Sequence, residues 1–488
     1  VNERPQVLLG IDLGTTRVKV GLITPTGVPL GIARASYPLD TDPASGRAEQ
    51  DPAEWWRGLI GAIRELRVGG RGEVIGIAVA GHGPTMTPVD HHGRPTGPAM
   101  TWLDSRARAE SAELEVATGL RGWSLGVLPA ALWLTRHDPD AARRATWFLN
   151  SWEALALRLT GRASTTLVPA QAFPAAQAIA VAGLDPGRIA PTCPTGAVLG
   201  GLTEAAAREL GLVAGTPVVA GLVDAFASFH GARMIEPGDA IDVGGAAGGF
   251  GVYWDRPVEA AGSFSTPAPL NGLWSVGGAM AATGSALDWF AGDALGGVRS
   301  IEELIAEAAT TNPGADGLVF LPYLAGERSP LWDPDARGVL AGLTLAHGRA
   351  HITRAILESA ALAIRHVAEP ILAAGVSVTA MRVCGGPAHS EAWNQLKADV
   401  TGFRVEVPRV LETTVVGAAI VAAVGVGAQA DLPTAIRAMT AIERRLEPNP
   451  ALRDTYDRLY HAYVALHPAV APVLAGVSTA REPVGAGT

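Results

Sequence analysis

Two apolar runs open the chain, Val7 to Ile11 and Val18 to Ile23, separated by the polar break Asp12-Leu13-Gly14-Thr15-Thr16-Arg17. Short β-branched runs on either side of a glycine turn predict two strands. Thr24-Pro25-Thr26-Gly27 is a turn signal, and Val28 to Tyr37 reads as a third strand. In "EQDPAEWWRGLIGAIREL" (49–66) the apolar positions switch to helical spacing after the start signal Asp51-Pro52. "VIGIAVAG" (74–81) is apolar throughout and predicts a buried strand. The resulting order, β-β-β-α-β, differs from a dinucleotide-binding unit, where each strand is followed by a helix.

A similar opening recurs. "DAIDVGGAAGGFGVYW" (239–254) is strand, Gly-rich turn and strand, with Asp242 near the end of the first run. "MRVCGGPAHSEAWNQLKADV" (381–400) reads as strand, Gly-Gly turn and helix. The repetition predicts two related halves with a cleft between them. Pro237-Gly238 marks the junction, which gives domains at 1–236 and 237–470. The tail, 471–488, is rich in small residues and proline and is expected to fray. Val415 to Ala428 is strongly apolar but short for a membrane span and rich in Gly and Ala, so a buried helix is expected.

Composition narrows the function classes. Of 488 residues, 48% are hydrophobic and 17% charged, enough apolar material for two sizeable cores. The net charge of −9 and the lack of a basic run speak against a nucleic-acid partner. Two widely separated cysteines, Cys193 and Cys384, suit a reducing cytoplasm better than a disulfide framework. Glu3, Arg4 and Pro5 interrupt any signal-peptide pattern, and no membrane partner is expected.

Asp12 raises the chemical question. An ionised carboxylate at the end of an apolar strand must be solvated, paired or bound to a cation. The following glycine and threonines offer backbone freedom, hydroxyls and N–H groups that can face an anion. A hairpin with a polar tip accounts for these residues equally well.

Further motifs separate the two readings. "GVLAGLTLAHGRAHITRAILE" (338–358) carries, through Gly338, Leu340, Gly342-Leu343, His351-Ile352 and Ala355 to Glu358, a signature that resembles the C-terminal one of the FGGY carbohydrate kinases. "DGLVFLPYLAGERSPLWDPDARG" (316–338) is similar to the block that precedes it in that family. "EQDPAEWW", "GHGPTMTPVD" (81–90), "TWLDSRA" (101–107), "ALRLTG" (156–161) and "VVAGLVDAFASFHGA" (218–232) resemble further family blocks in the same order. The resemblance covers nearly the whole chain. It implies an α/β fold of the actin/hexokinase/Hsp70 superfamily, with two ribonuclease-H-like (actin-like ATPase) domains flanking a deep cleft. Three places depart from the family pattern. Ala130 in "PAALWL" stands where the first signature usually has lysine. The second phosphate turn is Gly244-Gly245-Ala246-Ala247, without hydroxyls, and the third is Gly385-Gly386-Pro387-Ala388.

The resemblance implies an ATP-dependent sugar kinase that uses Mg²⁺, and it assigns residues. Asp224, after an apolar strand and before a helical stretch, matches the family's general base; by residue type alone it is also a good helix N-cap. By analogy Asp12 would hold Mg²⁺ through water. Gly14, Thr15 and Thr16 would face the phosphates, with Lys19 unassigned. His82, Gly83, Trp102 and Asp104 would bind the sugar together with Asp224, while Arg106 is open to a structural pairing with an acid. Gly244, Gly245, Gly284, Gly386, Pro387 and Ser390 would serve the nucleotide. The pattern "GHG…WLDSR…GERSP" is most similar to the xylulokinase branch; a gluconate, other ketose or polyol kinase is the alternative. A chaperone-like ATPase and a weakly active sugar sensor are the rivals from other classes. A homodimer is compatible with the family, but no residue pattern demonstrates one.

Overall fold

The computed structural model describes residues 4–42, 44–120, 122–167, 179–180, 183–270 and 272–478. They form two units. Unit 1 holds the chain up to Ile235, a short stretch beginning at Pro267, and Glu412–Ala441. Unit 2 holds Glu236–Thr266, Gly272–Leu411 and the chain from Ile442 onward.

Unit 1 is built on β1 (Gln6–Leu13), β2 (Arg17–Ile23), β3 (Pro29–Ser36), β4 (Glu73–Gly81), β5 (Val198–Gly201) and β6 (Pro217–Val223). Their order across the sheet is β5-β6-β4-β1-β2-β3. The first three form an antiparallel meander, while β1, β4 and β6 run parallel. Side chains alternate along β1. Val7, Leu9, Ile11 and Leu13 share a core with Trp55, Trp56, Leu59 and Ile63 of the helix Pro52–Leu66. That helix starts where the sequence places it: Asp51 accepts a hydrogen bond from Ala53 N, and Pro52 occupies the first turn. The alternate positions serve the helix Thr413–Gly425, which packs on β1, β4 and β6. A side chain at Gly10 would meet the Val415 carbonyl at 2.2 Å, so the approach requires glycine. Asp12, two residues beyond Gly10, shares its face.

Unit 2 repeats the topology. Its strands are β7 (Asp239–Val243), β8 (Gly248–Trp254), β9 (Phe264–Pro267), β10 (Trp274–Met280), β11 (Ala380–Cys384), β12 (Val405–Pro408) and β13 (Ile442–Leu446). They lie in the order β9-β10-β8-β7-β11-β12-β13. Antiparallel β7-β8-β10 retrace β1-β2-β3, and β11 and β12 continue parallel to β7 as β4 and β6 do to β1. The 25-residue helix Arg349–Ala373, which contains the second part of the 338–358 motif, packs beside β8 and β10 and against the helix Glu391–Thr401.

The structure adds to the sequence reading at three points. Two short strands, Asp40–Asp42 and Arg47–Gln50, stand between β3 and the first helix. Glu412–Ala441, inside the second stretch 237–470, packs with unit 1, because its apolar helix covers the sheet of that unit. The last helix, Arg453–Ser478, runs into the stretch expected to fray, and 479–488 lie outside the described residues. Among the described residues no helix is long and apolar enough to cross a membrane.

Candidate active site

The parallel strands of unit 1 end together. Leu13 of β1 and Val223 of β6 both pair with Gly81 of β4, and His82 N donates to Leu13 O at 3.0 Å. Asp12, His82 and Asp224 therefore emerge at the carboxyl ends of three neighbouring strands, where α/β sheets place ligands. Asp224 is the first residue of the helix Asp224–Gly231, and Val223, not Asp224, holds the N-cap position. Its Oδ1 accepts a hydrogen bond from Ala225 N at 2.8 Å.

The charges around these carboxylates are coupled. Lys19 stands directly across the β1–β2 ladder from Asp12. Its Nζ lies 3.6 Å from Asp12 Oδ2 and 2.7 Å from Glu412 Oε2, at the start of the helix Thr413–Gly425. Burial pushes the Asp12 carboxyl up to about 6, opposed by Lys19. Burial also pushes Asp224 up to about 7, reinforced by the charge of Asp12 and opposed by the Ala225 N–H and Lys19. Burial works against the charge of Lys19, but Asp12 and Glu412 outweigh it and raise its pKa. A carboxylate that titrates near neutrality can take up a proton at physiological pH.

The turn after Asp12 is held by its carbonyls. Tyr37 OH donates to Gly14 O, Gln50 Nε2 to Thr15 O at 2.6 Å, and Tyr37 N to Thr16 O at 3.1 Å. Trp102 Nε1 donates to Thr15 Oγ1 at 2.9 Å. The N–H groups of Thr15 and Thr16 have no acceptor among the described residues. Backbone donors left in this way suit an anion.

His82 is 1% exposed. Its Nδ1 pairs with Thr85 Oγ1 at 2.8 Å, and its Nε2 has no partner among the described residues. Burial pushes its pKa down to about 3, so the ring is neutral. A β-carbon at Gly83 would stand 2.7 Å from the Trp152 ring. Asp104 belongs to another cluster. Its carboxylate accepts from Ala48 N at 3.0 Å, from Arg106 N at 3.0 Å and from Arg106 Nη2 at 2.6 Å. Arg106 also bonds Glu49 and lies over the Trp133 ring at 4.3 Å. Ala130 sits one helical turn before Trp133 in the helix Leu128–His137.

In unit 2, three glycine turns converge. A β-carbon at Gly385 would meet Gly244 O at 2.1 Å, one at Gly284 would meet Gly245 O at 2.1 Å, and one at Gly244 would meet Cys384 O at 2.7 Å. Gly386 and Pro387 begin a short 3₁₀ turn, Gly386–His389. Ser390 accepts from Trp393 N at 3.2 Å and caps the next helix. Backbone packed this closely presents peptide groups in place of side chains, which suits close approach of a phosphate or ribose.

Asp12 also fits Mg²⁺ chemically. Among the described residues no three His, Cys, Asp or Glu side chains form a ready-made metal cage. Mg²⁺ taken up with substrate phosphates needs only one or two carboxylates, and Asp12 is a buried oxygen donor in acidic surroundings. Sequence reasoning missed Glu412, which no local pattern connects to Lys19.

Comparison with known proteins identifies the family. The N-terminal domain model of the FGGY family of carbohydrate kinases matches residues 7–231, and the C-terminal domain model matches 243–426. The chain is 30% identical over 426 residues to xylulose kinase of Escherichia coli strain K12, covering 82% of this chain and 85% of that protein. It is 28% identical over 445 residues to gluconokinase of Bacillus subtilis strain 168, covering 85% and 86%. The crystal structure of xylulose kinase from Rhodospirillum rubrum matches with a TM-score of 0.82 and 31% identity, over 96% of this chain and 99% of that one. The fold is that of the actin-like ATPases, and the chain belongs to the FGGY family of carbohydrate kinases, phosphotransferases whose substrates are a sugar and ATP.

Proposed function

We propose that this kinase phosphorylates a small uncharged ketose of the xylulose type, with Asp224 as the general base. The observation that carries the assignment is the half-buried Asp224 carboxyl, raised to about 7, at the end of β6 in the same charged cluster as Asp12 and Lys19. Oδ1 is held by Ala225 N–H, which leaves Oδ2 to take the proton of the attacking hydroxyl. As the sugar hydroxyl oxygen bonds to the γ-phosphorus, the bond from phosphorus to the β–γ bridging oxygen breaks and ADP leaves. His82 Nε2 offers a hydrogen bond to a second sugar hydroxyl, and Gly83 keeps the chain close to Trp152. Trp102 forms an apolar wall while fixing Thr15.

Asp12 is the residue that would hold Mg²⁺, which when bound supplies positive charge to the β- and γ-phosphates. Thr15 and Thr16 N–H groups, with Gly14 giving the turn its shape, receive phosphate oxygens. Lys19 adds a cation beside them. The turns at Gly244-Gly245, Gly284 and Gly386-Pro387, with Ser390 fixing the last one, hold the rest of the nucleotide. Asp104 acts on the sugar site through Arg106.

Arg106 favours an uncharged sugar over gluconate. A sugar acid needs a cation for its carboxylate, and the Arg106 guanidinium is already engaged by Asp104 and Glu49. Purified protein with MgATP and a panel of pentuloses, hexuloses, gluconate and polyols tests this. The expected result is the highest kcat/KM with a pentulose. Highest activity with gluconate would overturn the substrate assignment. Sugar binding without turnover would point to a sensor.

A further inference from the structure

A buried ion pair stands behind the glycine turns of unit 2, and the phosphoryl-transfer chemistry does not use it. Asp242 is the penultimate residue of β7 and is 4% exposed; Lys397, in the second turn of the helix Glu391–Thr401, is 2% exposed. Lys397 Nζ donates to Asp242 Oδ2 and lies 5.1 Å from the centre of the Trp393 ring. Removing two charges from water costs several kcal/mol per ion, about as much as their attraction returns. Stability alone is therefore a weak reason for such a pair.

The connections of the pair indicate another reason. Through its backbone, Asp242 holds the turn that carries Gly244 and Gly245: its carbonyl accepts from Gly244 N at 3.1 Å and from Cys384 Sγ at 3.6 Å. Through its carboxylate it holds Lys397. The helix of Lys397 is in turn fastened to the Gly386–His389 turn, because buried Asn394 donates from Nδ2 to Ala388 O at 2.8 Å and Ser390 caps the helix start. A small cavity bordered by Asp242, Gly244, Thr283, Gly284, Pro387 and Lys397 brings these parts together. The turn Gly244-Gly245-Ala246-Ala247 has no side-chain donor, so its grip on a phosphate depends on where its peptide groups are set.

We propose that Asp242 and Lys397 are a positioning pair for the nucleotide. They fix the spacing between the Gly244-Gly245 turn and the Gly386-Pro387 turn so that both engage one nucleoside triphosphate. The inference rests on the assignment of these turns to ATP. The test is the double variant Asp242→Asn/Lys397→Met, which removes both charges together and avoids stranding one of them. Thermal unfolding, calorimetric titration with MgATP and with the best sugar of the panel, and steady-state kinetics are compared with wild type. The expected result is a folded protein whose KM and Kd for ATP rise at least tenfold, while the KM for sugar stays within twofold. A merely structural pair would lower the unfolding temperature without this split. Asp242→Asn alone keeps a hydrogen-bond acceptor for Lys397 and serves if the double variant does not fold; its KM for ATP is expected to rise at least threefold. ATP affinity within twofold of wild type in either folded variant overturns the proposal. A wild type that binds no ATP overturns the turn assignment itself, a result distinct from failure of the pair.

Discussion

Gly417 sets how closely the helix Thr413–Gly425 approaches the helix that begins with Asp224. A β-carbon at Gly417 would stand 1.8 Å from the Ala227 carbonyl oxygen, whereas real contacts of this kind begin near 3.0 Å. The Gly417→Ala substitution therefore requires a separation of about 1.2 Å, the difference between those two values. Little slack is present to absorb it. The same two helices meet at Gly231, where a β-carbon would lie 1.9 Å from Thr413 O, and at the 2.8 Å contact between Ser228 Oγ and Thr413 Oγ1. On its other side the helix Thr413–Gly425 is pressed against β1 at Gly10. The displacement passes to the Asp224 helix, in which Asp224 lies less than one turn from Ala227. A misplacement of about 1 Å at a reacting group costs on the order of 100-fold in rate. Overpacking should also cost about 1–3 kcal/mol in stability. The assay is kcat/KM for sugar phosphorylation together with a urea unfolding curve. The variant should remain folded at 25 °C with kcat/KM down about 100-fold. A folded Gly417→Ala protein with kcat/KM within threefold of wild type would refute the link between this helix contact and the base.

Three further outcomes are expected. Asp224 must be ionised to accept a proton, so with its carboxyl raised to about 7 the kcat/KM for sugar should rise with pH and level off above that value, falling about tenfold per unit below it; a flat profile from about pH 5.5 to 8 contradicts this. Asp104→Ala should lower the sugar kcat/KM at least about tenfold by releasing Arg106, since a hydrogen bond to a charged group is worth about 1.5–3 kcal/mol, while calorimetry shows ATP binding unchanged. Gly245→Thr/Ala246→Ser should tighten sugar-free ATP binding by about tenfold, because Gly245 is not in the left-handed region and a β-carbon there has its nearest neighbour, Ala247 O, at 3.3 Å; unchanged or weaker binding means that the missing hydroxyls are not limiting.

The local parts of the site were legible because their signals are local. The apolar runs around Asp12 fixed β1 and β2, and the Asp51-Pro52 start placed the first helix to the residue. The recurrence of a strand, a Gly turn and a strand at 239–254 foretold the second sheet. Long-range consequences were hidden. A Gly- and Ala-rich run at 415–428 announces a buried helix but carries no information on which sheet it covers, so neither its return to unit 1 nor the Lys19–Glu412 contact follows from pattern. Residue type left Asp224 open between helix cap and base; the backbone places the cap at Val223. The spacing in "TWLDSRA" shows Asp104 and Arg106 two residues apart, but only the fold brings Ala48 N, Glu49 and Trp133 around them.

The central claim is that Asp224 is the base of a sugar kinase, and the Asp224→Asn variant tests it most directly. The substitution keeps the shape of the side chain and its contact with Ala225 N while removing its proton affinity. ATP-dependent phosphorylation of the best sugar is measured for both proteins, with binding of sugar and of MgATP followed separately by calorimetry. The account predicts a folded variant that binds both ligands and turns over about 10²- to 10⁴-fold more slowly. A folded variant with near-normal turnover would contradict it.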